Sequence, residues 1–208
     1  MKDSIITTVI FDLGNVLVDF NHTIAAKKIA SFSDKTPQEI YRLFFESGVT
    51  GAFEEGKISP LDFFGEVKKM LNLTIGYEEF LPIWNEIFTL SQKNLAVYSI
   101  AKKLKKKYKV AVLSNINVLH FDYVKNNFTI FDAFHKIIAS CDLGVKKPQK
   151  EIYDCALEIL EASPENVFYT DDRPELVNEA RRFGINAFVF ETPKKLKKDL
   201  ASCGIKIS

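Results

Sequence analysis

Carboxylates, a hydroxyl, an amide and an ammonium group follow short apolar runs of this sequence. They are Asp12 after Ile5–Phe11, Ser114 and Asn115 after Val110–Leu113, Lys147 after Ile137–Ser140, and Asp171 and Asp172 after Val167–Thr170. Three carboxylates gathered at one place repel one another unless a cation lies among them, and Mg²⁺ with oxygen ligands usually accompanies phosphate substrates. The set therefore predicts phosphoryl transfer with Mg²⁺ as the cofactor.

The individual side chains suit the separate tasks of that reaction. Beside a cation and Lys147, Asp12 stays ionised and is available as a nucleophile. Ser114 could donate a hydrogen bond to a phosphate oxygen, and Lys147 could neutralise both the phosphate and the phosphorylated aspartate. Simpler roles stay open at this point. Asp12, Ser114, Asp171 and Asp172 could cap turns or helices, and Lys147 could be a solvated surface residue.

The apolar runs that carry these residues alternate with helical patterns from about residue 93 onward. Short, almost wholly apolar runs are typical of parallel strands that are buried on both faces. Helices are predicted over Pro148–Glu161 and Pro174–Phe183, and the second begins with a proline and ends before Gly184. The alternation predicts a doubly wound, Rossmann-like α/β sheet, in which ligands bind beyond the carboxyl ends of the strands.

The stretch from residue 19 to residue 90 interrupts this alternation, because it is helical in pattern and has no convincing strand. We therefore expect an α/β core formed by residues 1–18 and 91–208, with an all-helical cap domain inserted at residues 19–90. Periodicity does not identify the cap residues that face a pocket, so the sequence does not predict the substrate.

Four segments of the chain together resemble a known superfamily. VIFDLGNVLVD, VAVLSNIN, GVKKPQKEIY and VFYTDD, in this order, resemble the four motifs of the haloacid dehalogenase (HAD) superfamily. The resemblance implies a HAD-type phosphoric monoester hydrolase with a helical C1 cap, which uses magnesium and an aspartyl-phosphate intermediate. The strings FDLGNVLVDFN, LSNINVLH and EEGKIS are similar to the glucose-1-phosphate phosphatase branch of this superfamily.

The resemblance also implies a role for each motif residue. Asp12 is then the nucleophile and a metal ligand, Gly14 binds the metal through its carbonyl, Ser114 and Asn115 bind phosphate, Lys147 is the motif-three lysine, and Asp171 and Asp172 bind the metal. Position 14 departs from the superfamily pattern, which usually has a second aspartate there for proton transfer. Gly14 has no side chain, and the sequence does not predict which group replaces the aspartate. We therefore expect a preference for aryl or anomeric phosphates, which need that proton least, over primary-alcohol esters such as hexose 6-phosphates.

Two alternative functions remain open. A dehalogenase-like hydrolase would also use a nucleophilic Asp12, but it acts without a metal, and the pair Asp171 and Asp172 argues against it. A non-catalytic scaffold that binds a phosphorylated ligand or a protein partner is favoured by Gly14 and opposed by intact Asp12 and Lys147.

Composition restricts the possible partners. A net charge of +1 gives no field that would attract nucleic acid or an anionic membrane, and no apolar stretch is long enough to span a bilayer. Three scattered cysteines without metal-site spacing favour the cytoplasm. The expected partner is a small phosphorylated metabolite, and the oligomeric state is not predicted. His120 could pack or line the pocket, and His22 and His135 are interpreted as structural.

Overall fold

The computed structural model describes residues 5–207, except for the side chains of Phe45 and Glu46. Residues 1–4 and 208, which belong to the predicted core ranges 1–18 and 91–208, lie outside the described part. The strands are β1 (Thr8–Phe11), β2 (Asp19–Phe20), β3 (Phe88–Thr89), β4 (Lys109–Ser114), β5 (Lys136–Ala139), β6 (Val167–Asp171) and β7 (Asn186–Val189).

The helices lie before, between and after these strands. They are α1 (His22–Ile29), α2 (Pro37–Glu46), α3 (Val49–Glu54), α4 (Pro60–Leu71), α5 (Tyr77–Asn85), α6 (Gln92–Leu104), α7 (Val118–Asn127), α8 (Ser140–Leu143), α9 (Lys150–Ile159), α10 (Pro174–Arg182) and α11 (Pro193–Ser202). Short 3₁₀ turns occupy Ala30–Phe32, Thr129–Ala133 and Pro164–Asn166.

Five parallel strands form the main sheet of the described chain, in the order β5-β4-β1-β6-β7. Alternate residues of β1 enter different cores, because Val9 and Phe11 pack with α6 and α11 while Ile10 packs with α9 and α10. Both faces of the sheet are therefore covered by helices, which explains why the strands are apolar without alternation. The predicted doubly wound α/β fold is confirmed.

Between β1 and β4 the chain folds into a helical unit, residues 22–85, which contains α1–α5 and has its own hydrophobic core. Capping residues mark where two of its helices begin. Thr36 forms a capping box with Glu39 at the start of α2, and Ser59 caps α4, which begins at Pro60. The antiparallel pair β2–β3 lies where the chain enters and leaves this unit. The sequence did not predict these two strands, and the domain boundaries at residues 18/19 and 90/91 stay a prediction.

Two further properties of the described residues bear on the sequence predictions. Among residues 5–207, no helix has both the length and the apolar character needed to cross a bilayer. The cysteines at positions 141, 155 and 203 are unpaired and half-buried.

Candidate active site

Three of the predicted site residues lie at the carboxyl ends of three neighbouring strands. β1 lies between β4 and β6, and Phe11 is in register with Val112 on one side and Thr170 on the other. The backbone N–H of Asp12 donates to the Thr170 carbonyl at 2.8 Å, which extends this pairing past the end of β1. Because the strands are parallel, Asp12, Ser114 and Asp171 lie at the same carboxyl edge.

Lys147 is the centre of the cluster at this edge and is 2% exposed. Its Nζ donates to Asp12 Oδ1 and to Asp171 Oδ2, both at 2.7 Å. It also lies 3.0 Å from the Leu113 carbonyl and 3.1 Å from the Tyr169 hydroxyl. The interpretation of Lys147 as a solvated surface residue is therefore wrong, since its ammonium group is buried between two carboxylates.

The backbone of Lys147 is held by the side chain of Asn115. Asn115 Nδ2 donates to the Lys147 carbonyl and Asn115 Oδ1 accepts from the Lys147 N–H, each at 2.8 Å. These two bonds use the amide group of Asn115 to fix the loop that carries the ammonium group. Phosphate binding by Asn115 stays a prediction, and it would use the backbone N–H rather than this side chain.

The two consecutive aspartates have different surroundings. Asp171 is fully buried, and its Oδ1 accepts from the Arg173 N–H at 2.9 Å while its Oδ2 accepts from Lys147 and from the Tyr169 hydroxyl. Asp172 is half-buried and borders the cleft described below, and its Oδ2 accepts from Asn15 Nδ2 at 2.9 Å. Both oxygens of Asp171 are thus bound by protein donors, whereas Asp172 keeps an oxygen for a ligand.

The residue types and charges fit a divalent cation. Asp12, Asp171 and Asp172 each offer a carboxylate oxygen within 4.8 Å of the others. One ammonium group, that of Lys147, opposes these three carboxylates, so the cluster carries excess negative charge when all are ionised. Oxygen ligands with that charge suit Mg²⁺.

The pKa values at the cluster follow from burial and from the charges within the cluster. Burial raises the pKa of Asp12 to about 7, although the Lys147 ammonium lowers it. Burial would also raise the pKa of Asp171, but contacts with Lys147 outweigh it and hold that pKa below its usual value. Burial alone would lower the pKa of Lys147, and the two carboxylates raise it overall. Lys147 therefore stays charged, and a nearby cation would favour the ionised, nucleophilic form of Asp12.

Ser114 and Gly14 border the same cleft. Ser114 is buried and does not cap the following helix, because Asn117 caps α7 through a bond to the His120 N–H. The Phe20 ring occupies the space that a side chain at position 14 would enter, since a Cβ on Gly14 would lie 2.6 Å from Cε1 of that ring. Metal binding by the Gly14 carbonyl and phosphate binding by Ser114 stay predictions.

A cleft of about 180 Å³ opens over the cluster, between the sheet edge and the helical unit. Its floor contains Asp12, Ser114, Lys147 and Asp172. One wall of the cleft is formed by the helical unit and by the residues that flank it. These residues are Phe20, His22, Thr50, Glu54, Trp84, Ile87 and Phe88. With a divalent cation at the carboxylates, the arrangement can hold a small anion on the floor and the rest of a molecule against a wall that is largely aromatic.

Several residues of the site were not predicted from the sequence. Tyr169 bonds to Asp171 and Lys147, Asn15 bonds to Asp172, and Glu54 reaches the cleft from α3. His22, interpreted as structural, borders the cleft. His120 fulfils both of its open roles, since it is buried and also borders the cleft.

Comparisons with known proteins agree with this geometry. A family model described as haloacid dehalogenase-like hydrolase matches residues 6–184. D-ribitol-5-phosphate phosphatase from Bacteroides thetaiotaomicron is 23% identical over 201 residues, which cover 94% of this chain and 97% of the relative. A sesquiterpene phosphatase from Aspergillus oryzae is 25% identical over 85% of each chain.

A solved structure gives the same fold. It is a HAD family enzyme from Bacteroides thetaiotaomicron in complex with magnesium and inorganic phosphate, and the TM-score is 0.78 at 24% identity. The match covers 90% of this chain and 95% of that one.

Proposed function

Because this chain belongs to the haloacid dehalogenase-like hydrolase family, we propose that it is a magnesium-dependent phosphatase that hydrolyses small phosphate monoesters. The family and the hydrolase class are confirmed predictions. The observation that carries the proposal is the buried cluster in which Lys147 joins Asp12 to Asp171, with Asp172 beside them at the cleft.

The catalytic steps follow from the positions of these residues. An oxygen of Asp12 attacks phosphorus, the bond from phosphorus to the leaving oxygen breaks, and the phosphoryl group is carried on Asp12. Water then attacks phosphorus and releases phosphate and free Asp12. Lys147 neutralises charge on the transferring group, and Ser114 donates a hydrogen bond to one of its oxygens. Asp12, Asp172 and the Gly14 carbonyl would hold Mg²⁺, whose positive charge would offset the negative charge of the phosphate.

The substrate class rests on the cleft and on the relatives. A volume of about 180 Å³ under the helical unit suits a small molecule better than a folded phosphoprotein. The similarity to D-ribitol-5-phosphate phosphatase supports a sugar or polyol phosphate. The glucose-1-phosphate phosphatase branch stays a prediction, because a polyol 5-phosphate is a primary-alcohol ester and not an anomeric phosphate. The cytoplasm stays the predicted location.

The alternatives receive less support. A metal-free dehalogenase would not need a cluster with excess negative charge, and a non-catalytic scaffold would not need a buried lysine that holds the nucleophile. Magnesium-dependent release of phosphate from sugar and polyol phosphates would separate the phosphatase from both.

The proposal predicts that turnover requires Asp12 and Mg²⁺. Asp12→Asn should abolish phosphate release, because a neutral amide does not attack phosphorus, and EDTA should abolish it in the wild type until Mg²⁺ is restored. Asp154→Asn is the matched control, since Asp154 is exposed on α9 and its ion pair is with the exposed Lys150 rather than with a residue of the cluster. Wild-type turnover by Asp12→Asn, or indifference to EDTA, would contradict the mechanism.

A further inference from the structure

The phosphatase reaction needs a proton donor that position 14 does not supply. The ring of Phe20 occupies the space that a side chain at Gly14 would enter. Any group that protonates the leaving oxygen must therefore come from elsewhere on the cleft wall.

The ionisable residues that border the cleft within the described chain are Asp12, His22, Glu54, His120, Lys147, Asp172 and Arg173. Asp12, Lys147 and Asp172 belong to the charge cluster, and Arg173 does not release its proton in a protein. Three candidates remain, of which two are histidines.

Neither histidine carries the proton that the reaction needs. Burial lowers the pKa of His22 to about 4 and that of His120 to about 3, so both rings are neutral near pH 7. Both ring nitrogens of His120 are also engaged, one with Asn117 Nδ2 and one with the Trp84 carbonyl, at 3.0 Å each. Glu54 is the remaining candidate.

Glu54, at the end of α3, is linked to the two loops that form the phosphate end of the cleft. One loop precedes Lys147 and the other follows Ser114. Its Oε2 lies 3.4 Å from the ammonium group of Lys146, the residue directly before Lys147. Its carbonyl accepts from the Ser140 hydroxyl, which in turn accepts from the Ile116 N–H at 3.0 Å. Ile116 is two residues after Ser114, so these contacts tie Glu54 to the predicted phosphate-binding loop.

The surroundings of Glu54 also suit proton transfer. Its side chain is 30% exposed, and burial raises its pKa. The charges of Lys146 and Arg173 lower this pKa and that of Glu55 raises it, with burial dominant overall. Burial therefore shifts Glu54 toward its protonated form, which can donate a proton, and the resulting carboxylate can take one back.

We propose that Glu54, supplied by the helical unit, is the acid–base residue of this phosphatase, an inference that rests on the proposed function. In the first step the Glu54 carboxyl group gives its proton to the leaving oxygen as the phosphorus–oxygen bond breaks. In the second step the Glu54 carboxylate takes a proton from water as the water oxygen attacks phosphorus and the bond to Asp12 breaks. The residue ends the cycle protonated, as it began.

The test compares two esters that differ in their need for that proton. The phenolate of 4-nitrophenyl phosphate leaves without protonation, whereas the alkoxide of benzyl phosphate does not. Glu54→Gln should lower kcat/KM for benzyl phosphate about 10²–10⁴-fold, and far less for 4-nitrophenyl phosphate. With 4-nitrophenyl phosphate, kcat should fall, because attack by water on the phosphorylated Asp12 has become slow. For the same reason, a burst of one nitrophenolate per enzyme should precede the steady state.

Lys146→Met is the matched control, since it breaks the same ion pair but keeps the carboxyl group. It should not lower kcat/KM for benzyl phosphate more than for 4-nitrophenyl phosphate, whereas Glu54→Asp should recover part of the selective loss. If Glu54→Gln does not fold, as judged by circular dichroism, Glu54→Asp alone should still show a larger loss with benzyl phosphate.

Three outcomes would overturn the inference and separate it from the proposed function. Equal losses with both esters in Glu54→Gln would mean that Glu54 only ties the helical unit to the core. A leaving-group-dependent loss in His22→Gln and not in Glu54→Gln would assign the role to His22. A wild type that hydrolyses neither ester nor any sugar phosphate with Mg²⁺ would overturn the proposed function as well.

Discussion

At the scale of single residues, the site depends on Lys147, whose ammonium group forms ion pairs with two carboxylates. Its ammonium group is buried against Asp12 and Asp171, and removing either partner leaves a buried charge with less compensation. Asp172 has no such tie, because its bond is to the neutral amide of Asn15. The two neighbouring aspartates should therefore respond differently to mutation.

We predict that Asp172→Asn removes most of the stabilisation by Mg²⁺, whereas Asp171→Asn mainly lowers the stability of the metal-free protein. Asp172 can offer a free oxygen to the ion, but both oxygens of Asp171 are bound by Lys147, Tyr169 and the Arg173 N–H. The measurement is Tm with and without Mg²⁺, where saturation at 100 times Kd adds about 2.7 kcal/mol.

The wild type gives the reference shift in Tm for both variants. Loss of the Mg²⁺-dependent shift in Asp171→Asn, with the shift intact in Asp172→Asn, would reverse the two assignments.

The sequence could predict the residues that follow strands, but not those that reach the site by other routes. Asp12, Ser114 and Asp171 lie together because parallel strands bring their carboxyl ends to one edge. Glu54 comes from a helix of the helical unit, and Tyr169 acts from inside a strand. Glu54 begins the string EEGKIS and Tyr169 lies within VFYTDD, but the resemblance assigned neither residue a role.

At the scale of secondary-structure elements, β2 limits the size of the side chain that fits at position 14. Phe20, the second residue of β2, packs its ring against His22 and Phe88, with ring centroids 5.1 and 6.3 Å away. The pairing of β2 with β3 fixes the strand that carries this ring. The absence of a side chain at Gly14 and the aromatic ring at Phe20 are therefore complementary.

We predict that Gly14→Ala lowers the free energy of unfolding by about 1–3 kcal/mol, because the added Cβ would lie 2.6 Å from the Phe20 ring. In a Phe20→Leu background the same change should cost less, since the ring is gone. Denaturant unfolding of the two single variants and the double variant gives the coupling energy. A coupling energy near zero would show that the ring does not restrict position 14.

The main elements were predictable because each is long enough to show a pattern. The structure begins and ends the predicted core strands within one residue of the expected position, apart from β1, which begins at Thr8 rather than Ile5. The helix predicted over Pro148–Glu161 is shorter, Lys150–Ile159. β2 and β3 were missed because two residues each are too few for any periodicity.

At the scale of the whole molecule, the buried His120 and the half-buried His22 join the core to the helical unit. The His120 ring of α7 stacks on Trp84 of α5 with centroids 4.8 Å apart, and His22 lies 6.0 Å from His120. Burial holds the pKa of His120 at about 3 and that of His22 at about 4. Both are well below the ordinary value of 6.5, so folding keeps these rings neutral.

We predict that the wild type loses stability relative to His120→Gln as the pH falls from about 6.5 toward 3. In that range the unfolded chain protonates His120 and the folded protein does not, so acid favours unfolding by up to about 1.4 kcal/mol per pH unit. Asp12, whose pKa is raised, contributes with the opposite sign. Taking the difference between two proteins that share Asp12 removes that contribution.

The measurement is the free energy of unfolding in urea at several pH values for both proteins. His22→Gln should give a second difference of the same sign, beginning at the same pH. A difference between wild type and His120→Gln that stays constant from pH 7 to pH 4 would mean that His120 is protonated in the folded protein.

The position of β1 in the middle of the sheet has a consequence for synthesis on the ribosome. β1 leaves the exit tunnel before its partner β4, which begins about 100 residues later, and β6 follows later still. The helical unit has its own core and consists of residues close in sequence. We therefore expect it to fold before β1 can pair with a neighbouring strand. Asp12 meets Asp171 only after most of the chain has been made, so a prematurely terminated chain has no complete charge cluster.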